Sequence, residues 1–268
     1  MKSFSLDELK SFQLEMLKQI SDYCETFHLT YFLAYGTLLG AVRHKGYIPW
    51  DDDIDIMMPR RDYSFFLEHF NGQIPNLVVA APEIIPNYYA TYANVYDNRT
   101  ILEEEIVSNG KMDLGVKIDV FPLDYVPSDE IIYDELWKRS RHDVLKLIMK
   151  SKKLSYCHGS EFFKLALRKM MYSFESVQHI HKRHLKLLNE ERYKSDGPLM
   201  DVVAMTWGRK MPLSQDDLFP VKKLSFEGYE FCVPNDYDKV LRKIYGDYMK
   251  LPPEEERIVK HGFNAYWK

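Results

Sequence analysis

The stretch that most constrains this chain is Pro49-Trp50-Asp51-Asp52-Asp53-Ile54-Asp55-Ile56-Met57-Met58. Asp51, Asp53 and Asp55 alternate. On a strand they would share one face, with Ile54 and Ile56 on the other. Carboxylates held together repel one another, which raises their pKa values and costs stability. A hard divalent cation relieves that repulsion, and an all-oxygen donor set suits Mg²⁺ or Mn²⁺. Three readings compete: a solvated acidic turn, a calcium loop and a catalytic metal site on a strand edge. A solvated turn leaves the interleaved isoleucines unexplained. A calcium loop needs glycine at its sixth position, where Ile56 stands, although Asp62 does occupy the twelfth. The pattern favours the metal site.

Such a site needs a carboxylate from a second element. Asp119 is the candidate, an isolated acid in the apolar run Val116-Lys117-Ile118-Asp119-Val120-Phe121-Pro122; the alternative is an exposed edge-strand position. Asp124, beyond Pro122, reads as a turn acid. Gly36-Thr37 opens a short helix about a dozen residues before the acids, and helix-start N–H groups can receive a phosphate. A plain turn is the competing reading. Between the two lie Arg43-His44-Lys45-Gly46, a cationic group that suits a phosphate clamp, with a surface basic patch as the alternative.

Around these motifs the pattern alternates helix and strand, which is an α+β chain. Ser5 and Glu8 have capping-box spacing at the start of a first helix. Strands are expected at Tyr31–Tyr35, Ile54–Met58, Leu77–Ala80, Tyr89–Tyr96 and Val116–Phe121, and a helix at Arg60–Phe70. From Asp129 to Tyr193 the pattern is helical. A hairpin follows, Lys222–Phe226 and Tyr229–Val233 about Glu227-Gly228, then a helix capped by Asn235 and stopped by Gly246.

Charge divides the chain. The overall balance is −4, which excludes a globally basic nucleic-acid binder. Yet residues 138–194 hold fifteen Lys and Arg against five acids, net +10, leaving −14 for the rest. Glu161 to Met171 mixes large apolar side chains with cations. That suits a helix in an anionic membrane interface, or a core helix with one wet face. Cys24, Cys157 and Cys232 are odd in number and lack C-x-x-C spacing, which speaks against a disulfide framework or cysteine zinc site. No stretch reaches the ~20 apolar residues that span a bilayer, and the first residues lack a signal-peptide pattern. The expected location is the cytoplasm, free or at the inner face of the membrane. Aromatics make up 14% of the chain, enough for a core, a ligand site or a membrane contact.

The run from Gly36 to Ile56, G-T-L-L-G-A-V-R-H-K-G-Y-I-P-W-D-D-D-I-D-I, resembles the LicD family of the nucleotidyltransferase-fold superfamily. Asp97-Asn98-Arg99-Thr100 resembles its D-x-x-T segment, and Ile118–Asp124 its I-D-I-F-P-L-D. Phe226–Gly228, Pro234–Tyr237 and Tyr245–Met249 resemble its C-terminal part. The resemblance implies a nucleotidyltransferase-like mixed sheet core with flanking helices. Residues 1–127 would form the catalytic core. Residues 128–268 would be a helical basic segment with a C-terminal hairpin and helix packed on that core. It also implies transfer of phosphocholine, or a similar phospho-alcohol, from CDP-choline or another CDP-alcohol to a sugar hydroxyl. The acceptor would be a teichoic acid, lipopolysaccharide or other lipid-linked cell-surface glycan.

On that reading Asp53, Asp55 and Asp119 are the metal carboxylates and catalytic acids, with Asp51 assisting, and two Mg²⁺ or Mn²⁺ ions are expected. Gly36, Thr37, Arg43, His44 and Lys45 would contact the phosphates. The family often carries basic residues near positions 94 and 96. Asn94 and Tyr96 stand there, so Arg99 is expected to supply the charge. A choline head is bound by aromatic faces, and Tyr88, Tyr89, Tyr92 and Tyr96 are nominated, Tyr92 and Tyr96 foremost; aromatic strand packing is the alternative. Two rival functions use the same residues: nucleotidyl transfer releasing pyrophosphate, and a non-enzymatic adaptor on glycan or membrane.

Overall fold

The structure is a computed structural model that describes residues 2–104, 114–157, 159–194, 196–202, 212–259 and 263–268. Helix α1 (Leu6–Thr26) starts at the expected capping box, with Ser5 and Glu8 bonding each other's backbone N–H. Its stripe of Leu9, Met16, Leu17, Ile20 and Cys24 is buried. Next come β1 (Phe32–Leu33), α2 (Tyr35–Arg43), β2 (Asp55–Pro59) and α3 (Arg60–His69). Strands β3 (Leu77–Ala80), β4 (Ala93–Asp97), β5 (Thr100–Glu104) and β6 (Lys117–Tyr125) complete the first half.

The main sheet runs β1-β2-β6-β4-β3. Strands β2 and β6 are parallel and the other pairs antiparallel, so the expected α+β mixed sheet is present. Helix α3 lies on β2 and β6, the two strands that carry the chemistry. Strand β6 is buried from Lys117 to Asp124. It therefore reads as a continuous apolar run broken by a few polar residues that each need a partner.

The basic stretch forms α4 (Glu130–Ser151), α5 (Gly159–Tyr172) and α6 (Val177–Leu188), as its helical pattern predicts; residue 158 within it lies outside the described residues. Strand β7 (Leu199–Met200) joins the far end of β6. After the short α7 (Gln215–Leu218), the expected hairpin is found with its expected bounds, β8 (Lys222–Phe226) and β9 (Tyr229–Val233). Helix α8 (Tyr237–Tyr245) is capped by Asp236 rather than Asn235, and Gly246, at φ +69°, ends it. Asn235 instead donates to the Asp216 carbonyl. The last strand, β10 (Phe263–Trp267), pairs with β5, a pairing the sequence pattern did not reveal. One apolar cluster runs from Leu9 to Ala265. Much of the aromatic excess is spent there: Phe32, Tyr31, Tyr63, Phe66, Phe70, Phe226 and Phe231 are fully buried.

Two boundaries differ from expectation in ways that matter below. Strand β2 begins only at Asp55, so Asp51, Asp52 and Asp53 lie in the irregular segment before it and not in strand alternation. Asp124 is no turn acid. It sits inside β6, and Arg60 grips it through two hydrogen bonds of 2.7 Å.

Candidate active site

Asp55 and Asp119 are register partners on the parallel strands β2 and β6, and Asp119 pairs with Asn94 across the antiparallel β4. Side chains opposite one another in a ladder point to the same face, so the three form a row across the sheet. The backbone of the row is fixed. The Asp55 N–H donates to Thr37 Oγ1 at 2.9 Å, and the Asp55 carbonyl accepts from Ala34 at 2.9 Å. Asp119 donates its N–H to the Ile54 carbonyl at 3.0 Å.

Asp51 and Asp53 reach the same place from the preceding segment. With Asp55 and Asp119 they line a cavity of about 510 Å³. One carboxylate oxygen each from Asp51, Asp52 and Asp53 lies within 4.8 Å of the others. Asp52 is buried and does not line the cavity; its carbonyl accepts from Gln13 Nε2 on α1 at 3.2 Å. Burial, then the neighbouring Asp53, Asp119 and Asp51, push the Asp55 carboxyl well above the usual carboxylate range, and Lys117 pulls the other way. Asp51, Asp53, Asp55 and Asp119, with no softer donor among them, fit a hard divalent cation.

Asp119 is held on several sides. Asn94 Nδ2 donates to Oδ1, Tyr92 OH donates to Oδ2 at 3.2 Å, and the Lys117 ammonium lies 3.4 Å from Oδ1. Behind Asn94 stand Tyr88 and Tyr89, whose hydroxyls both donate to its Oδ1. Lys117 donates to Tyr89 OH at 3.2 Å, closing the network. The buried cation beside the acids is therefore Lys117, one strand over from positions 94 and 96. Arg99 binds Asp97 at 2.6 Å and packs on Phe12 and Trp267, away from the cavity. Its neighbours make it part of the β5–β10 corner.

The other predicted residues divide in the same way. Gly36 lines the cavity, and a Cβ there would come within 2.6 Å of Asp51 Oδ2, so a larger residue would displace that carboxylate. Thr37 does not line it; buried, it acts through its bond to Asp55. Of the cationic triplet only Arg43 reaches the cavity. Its Nη1 donates to the Tyr248 carbonyl at 2.7 Å and its Nε to His44 Nε2 at 3.0 Å. Burial, and then Arg43, lower the His44 pKa, which suits a neutral ring accepting that bond. Lys45 is exposed in a turn at φ +61°. Tyr92 lines the cavity, its ring 4.2 Å from Phe121. Tyr96 does not; it packs against the Tyr88 cluster.

The remaining wall comes from residues that spacing along the chain did not single out. Tyr35 lines the cavity; its ring meets Phe121 edge-on at 5.1 Å, and its hydroxyl donates to the buried Asp201 at 2.6 Å. Trp50 and Phe121 join it, and the end of α8 with the turn after it adds Tyr245, Asp247, Tyr248 and Lys250. The run Tyr245–Met249 resembles a family motif, but nothing local ties it to the site, because it lies about two hundred residues from the acids.

A mixed sheet with a Gly-Thr helix start, an acid run at the head of one strand and a further acid on its parallel neighbour is the arrangement that the resemblance to a nucleotidyltransferase domain implies. The family described as "LicD/FKTN/FKRP, nucleotidyltransferase domain" matches residues 28–152. The lipopolysaccharide cholinephosphotransferase LicD of Haemophilus influenzae is 31% identical over 281 aligned positions, covering 99% of this chain and 99% of that protein. An uncharacterised protein of Rickettsia typhi is 38% identical over 66 residues, which cover 24% of this chain and 21% of that protein. The chain belongs to the LicD family.

Proposed function

We propose that the chain transfers phosphocholine, or a similar phospho-alcohol, from a CDP-linked donor to a sugar hydroxyl of a cell-surface glycan precursor such as a teichoic acid. The observation that carries this is the pairing, in one cavity, of an acidic wall with a wall of aromatic rings. The name of the Haemophilus relative supports the same reading. The cavity is large enough for a ligand of this class.

The chemistry is an in-line displacement. The acceptor oxygen bonds to the phosphorus bearing the alcohol, the bond from that phosphorus to the bridging oxygen breaks, and CMP leaves with the electron pair. The acceptor proton passes to a carboxylate. Asp119 is the base, since Asn94, Tyr92 and Lys117 fix its direction. Two divalent ions, Mg²⁺ or Mn²⁺, held by Asp51, Asp53, Asp55 and Asp119, would supply charge stabilisation at the entering and leaving oxygens. Arg43 and Lys250 offset charge on the departing phosphate. Trp50, Tyr92, Tyr245 and Tyr248 offer ring faces to a quaternary ammonium, worth ~0.5–2 kcal/mol each.

Residues 1–127 act as the catalytic core, and residues 128–268 pack on it and complete the cavity. The acceptor is lipid-linked, so the reaction takes place at the inner face of the membrane, with no nucleic-acid partner. Purified protein given Mg²⁺ and a panel of CDP-alcohols should release CMP, fastest with CDP-choline and faster still with a glycan acceptor. Chelation should stop turnover. Release of pyrophosphate from a nucleoside triphosphate would instead favour nucleotidyl transfer. Absence of any metal-dependent turnover would favour an adaptor.

A further inference from the structure

A helix that packs into a core buries its apolar side. Helix α5 does the reverse: Leu165 is its one buried residue, while Phe163, Leu167, Met170 and Met171 face outward, and Phe174 continues the row beyond the helix. Phe163 is 73% exposed and Phe174 93%. Phe163, Leu167, Met170 and Phe174 fall at three-to-four spacing, with Met171 four residues after Leu167, a continuous apolar stripe. The inner side is fastened to α4 by polar groups: Lys169 Nζ donates to the Lys150 carbonyl at 2.6 Å, and Lys150 to the Tyr172 carbonyl.

Cations border the stripe. Lys164 and Arg168 each lie one residue beyond Phe163 and Leu167 and both are exposed, Arg168 with one nitrogen 4.0 Å from Met149 Sδ on α4, and Lys152 and Lys153 precede the helix. Glu161 is the one acid of α5, and it pairs with Lys164 at 2.8 Å. No helix among the described residues is long and apolar enough to cross a membrane. An outward apolar stripe with basic flanks, in a segment of net charge +10, matches a helix lying in the plane of an anionic interface.

We propose that α5 is a docking surface for an anionic lipid bilayer, with Phe163, Leu167, Met170, Met171 and Phe174 entering the acyl boundary and Lys164 and Arg168 meeting lipid phosphates. The charge of the segment selects this occupant. A second copy of the same +10 segment would set like charges against one another along the stripe.

The test is co-sedimentation of the full chain with phosphatidylglycerol vesicles and with phosphatidylcholine vesicles, at low and high salt, without donor or acceptor. Its outcome is therefore independent of the transfer reading. Binding should be confined to phosphatidylglycerol vesicles and should weaken with salt. Phe163→Ser with Leu167→Ser should lower the vesicle partition roughly tenfold or more, and Lys164→Gln with Arg168→Gln should lower it less. These side chains are already exposed, so thermal melts should match the parent; Phe174→Ser, outside the helix, is a second stripe variant independent of helix stability. Three results would overturn the proposal: no sedimentation with phosphatidylglycerol vesicles at low salt, unchanged partition of the stripe variants, or a lipid-free dimer in light scattering that Phe163→Ser dissolves.

Discussion

Asp119 and Asp124 stand on one strand, both nearly buried, in opposite electrostatic settings. At the Asp124 end, Arg60 makes two bonds of 2.7 Å to the carboxylate and a third of 3.2 Å to Glu83. Charge there is matched by a guanidinium whose fork fits a carboxylate. At the Asp119 end, carboxylates from three chain segments crowd one cavity, and the buried cation set against them is Lys117. The raised Asp55 pKa registers the excess. The first arrangement is complete as the chain folds, while the second retains negative charge that a metal would complete. Acidic residues alone do not mark a site; the ratio of acids to buried cations does.

That contrast can be broken by paired substitutions. Asp119→Asn should cut turnover by roughly a thousandfold, because it removes the proposed base and a metal ligand together, while thermal stability changes little. Near wild-type turnover in saturating Mg²⁺ would end the functional reading of this end of β6. Arg60→Ala should do the opposite. It leaves Asp124 and Glu83 without their shared guanidinium and should cost about 3–4 kcal/mol in denaturant unfolding, with turnover per folded molecule retained. If stability held and turnover fell, the two ends of the strand would not differ as argued.

A smaller effect sharpens the contrast from the helical segment. His184 on α6 is buried, and its ring lies 2.6 Å from Ser140 Oγ on α4. Burial pushes its pKa down to about 4 from an ordinary 6.5. Between those values the unfolded chain binds the proton and the folded chain does not, so stability rises with pH across that window. Acidification from neutrality to about pH 4 should therefore cost up to about 3 kcal/mol through this residue. Replacing His184 by Gln should flatten that part of the stability profile. An unchanged slope would mean that the acid sensitivity comes from elsewhere.

Parts of this were legible in the residues and parts were not. The Ser5–Glu8 capping box and the Glu227-Gly228 hairpin were readable because local bonds between near neighbours make them. The acid run and Asp119 were readable as exceptions to apolar patterning. The strand-alternation argument for Asp51 and Asp53 was not borne out, since both precede β2. Their convergence comes from how that segment turns against α2, where Asp51 meets Gly36. Arg99 looked like the missing cation because it follows the right motif in sequence, but it turns to Asp97, and Lys117, two residues before Asp119 on the same buried strand, lies beside the acid. Likewise β5 found its partner only in β10, far along the chain.

By itself, the sequence determined the identity of the acids, the family, the local caps and turns, and the division into an acidic body and a basic helical segment. Each of these depends on residue type and short spacing. Tertiary structure alone decided that Arg99 turns away to the β5–β10 corner, which rings complete the cavity, and that the apolar side of α5 points outward. Those outcomes depend on strand register and on packing between segments up to two hundred residues apart, and no periodicity along the chain encodes either.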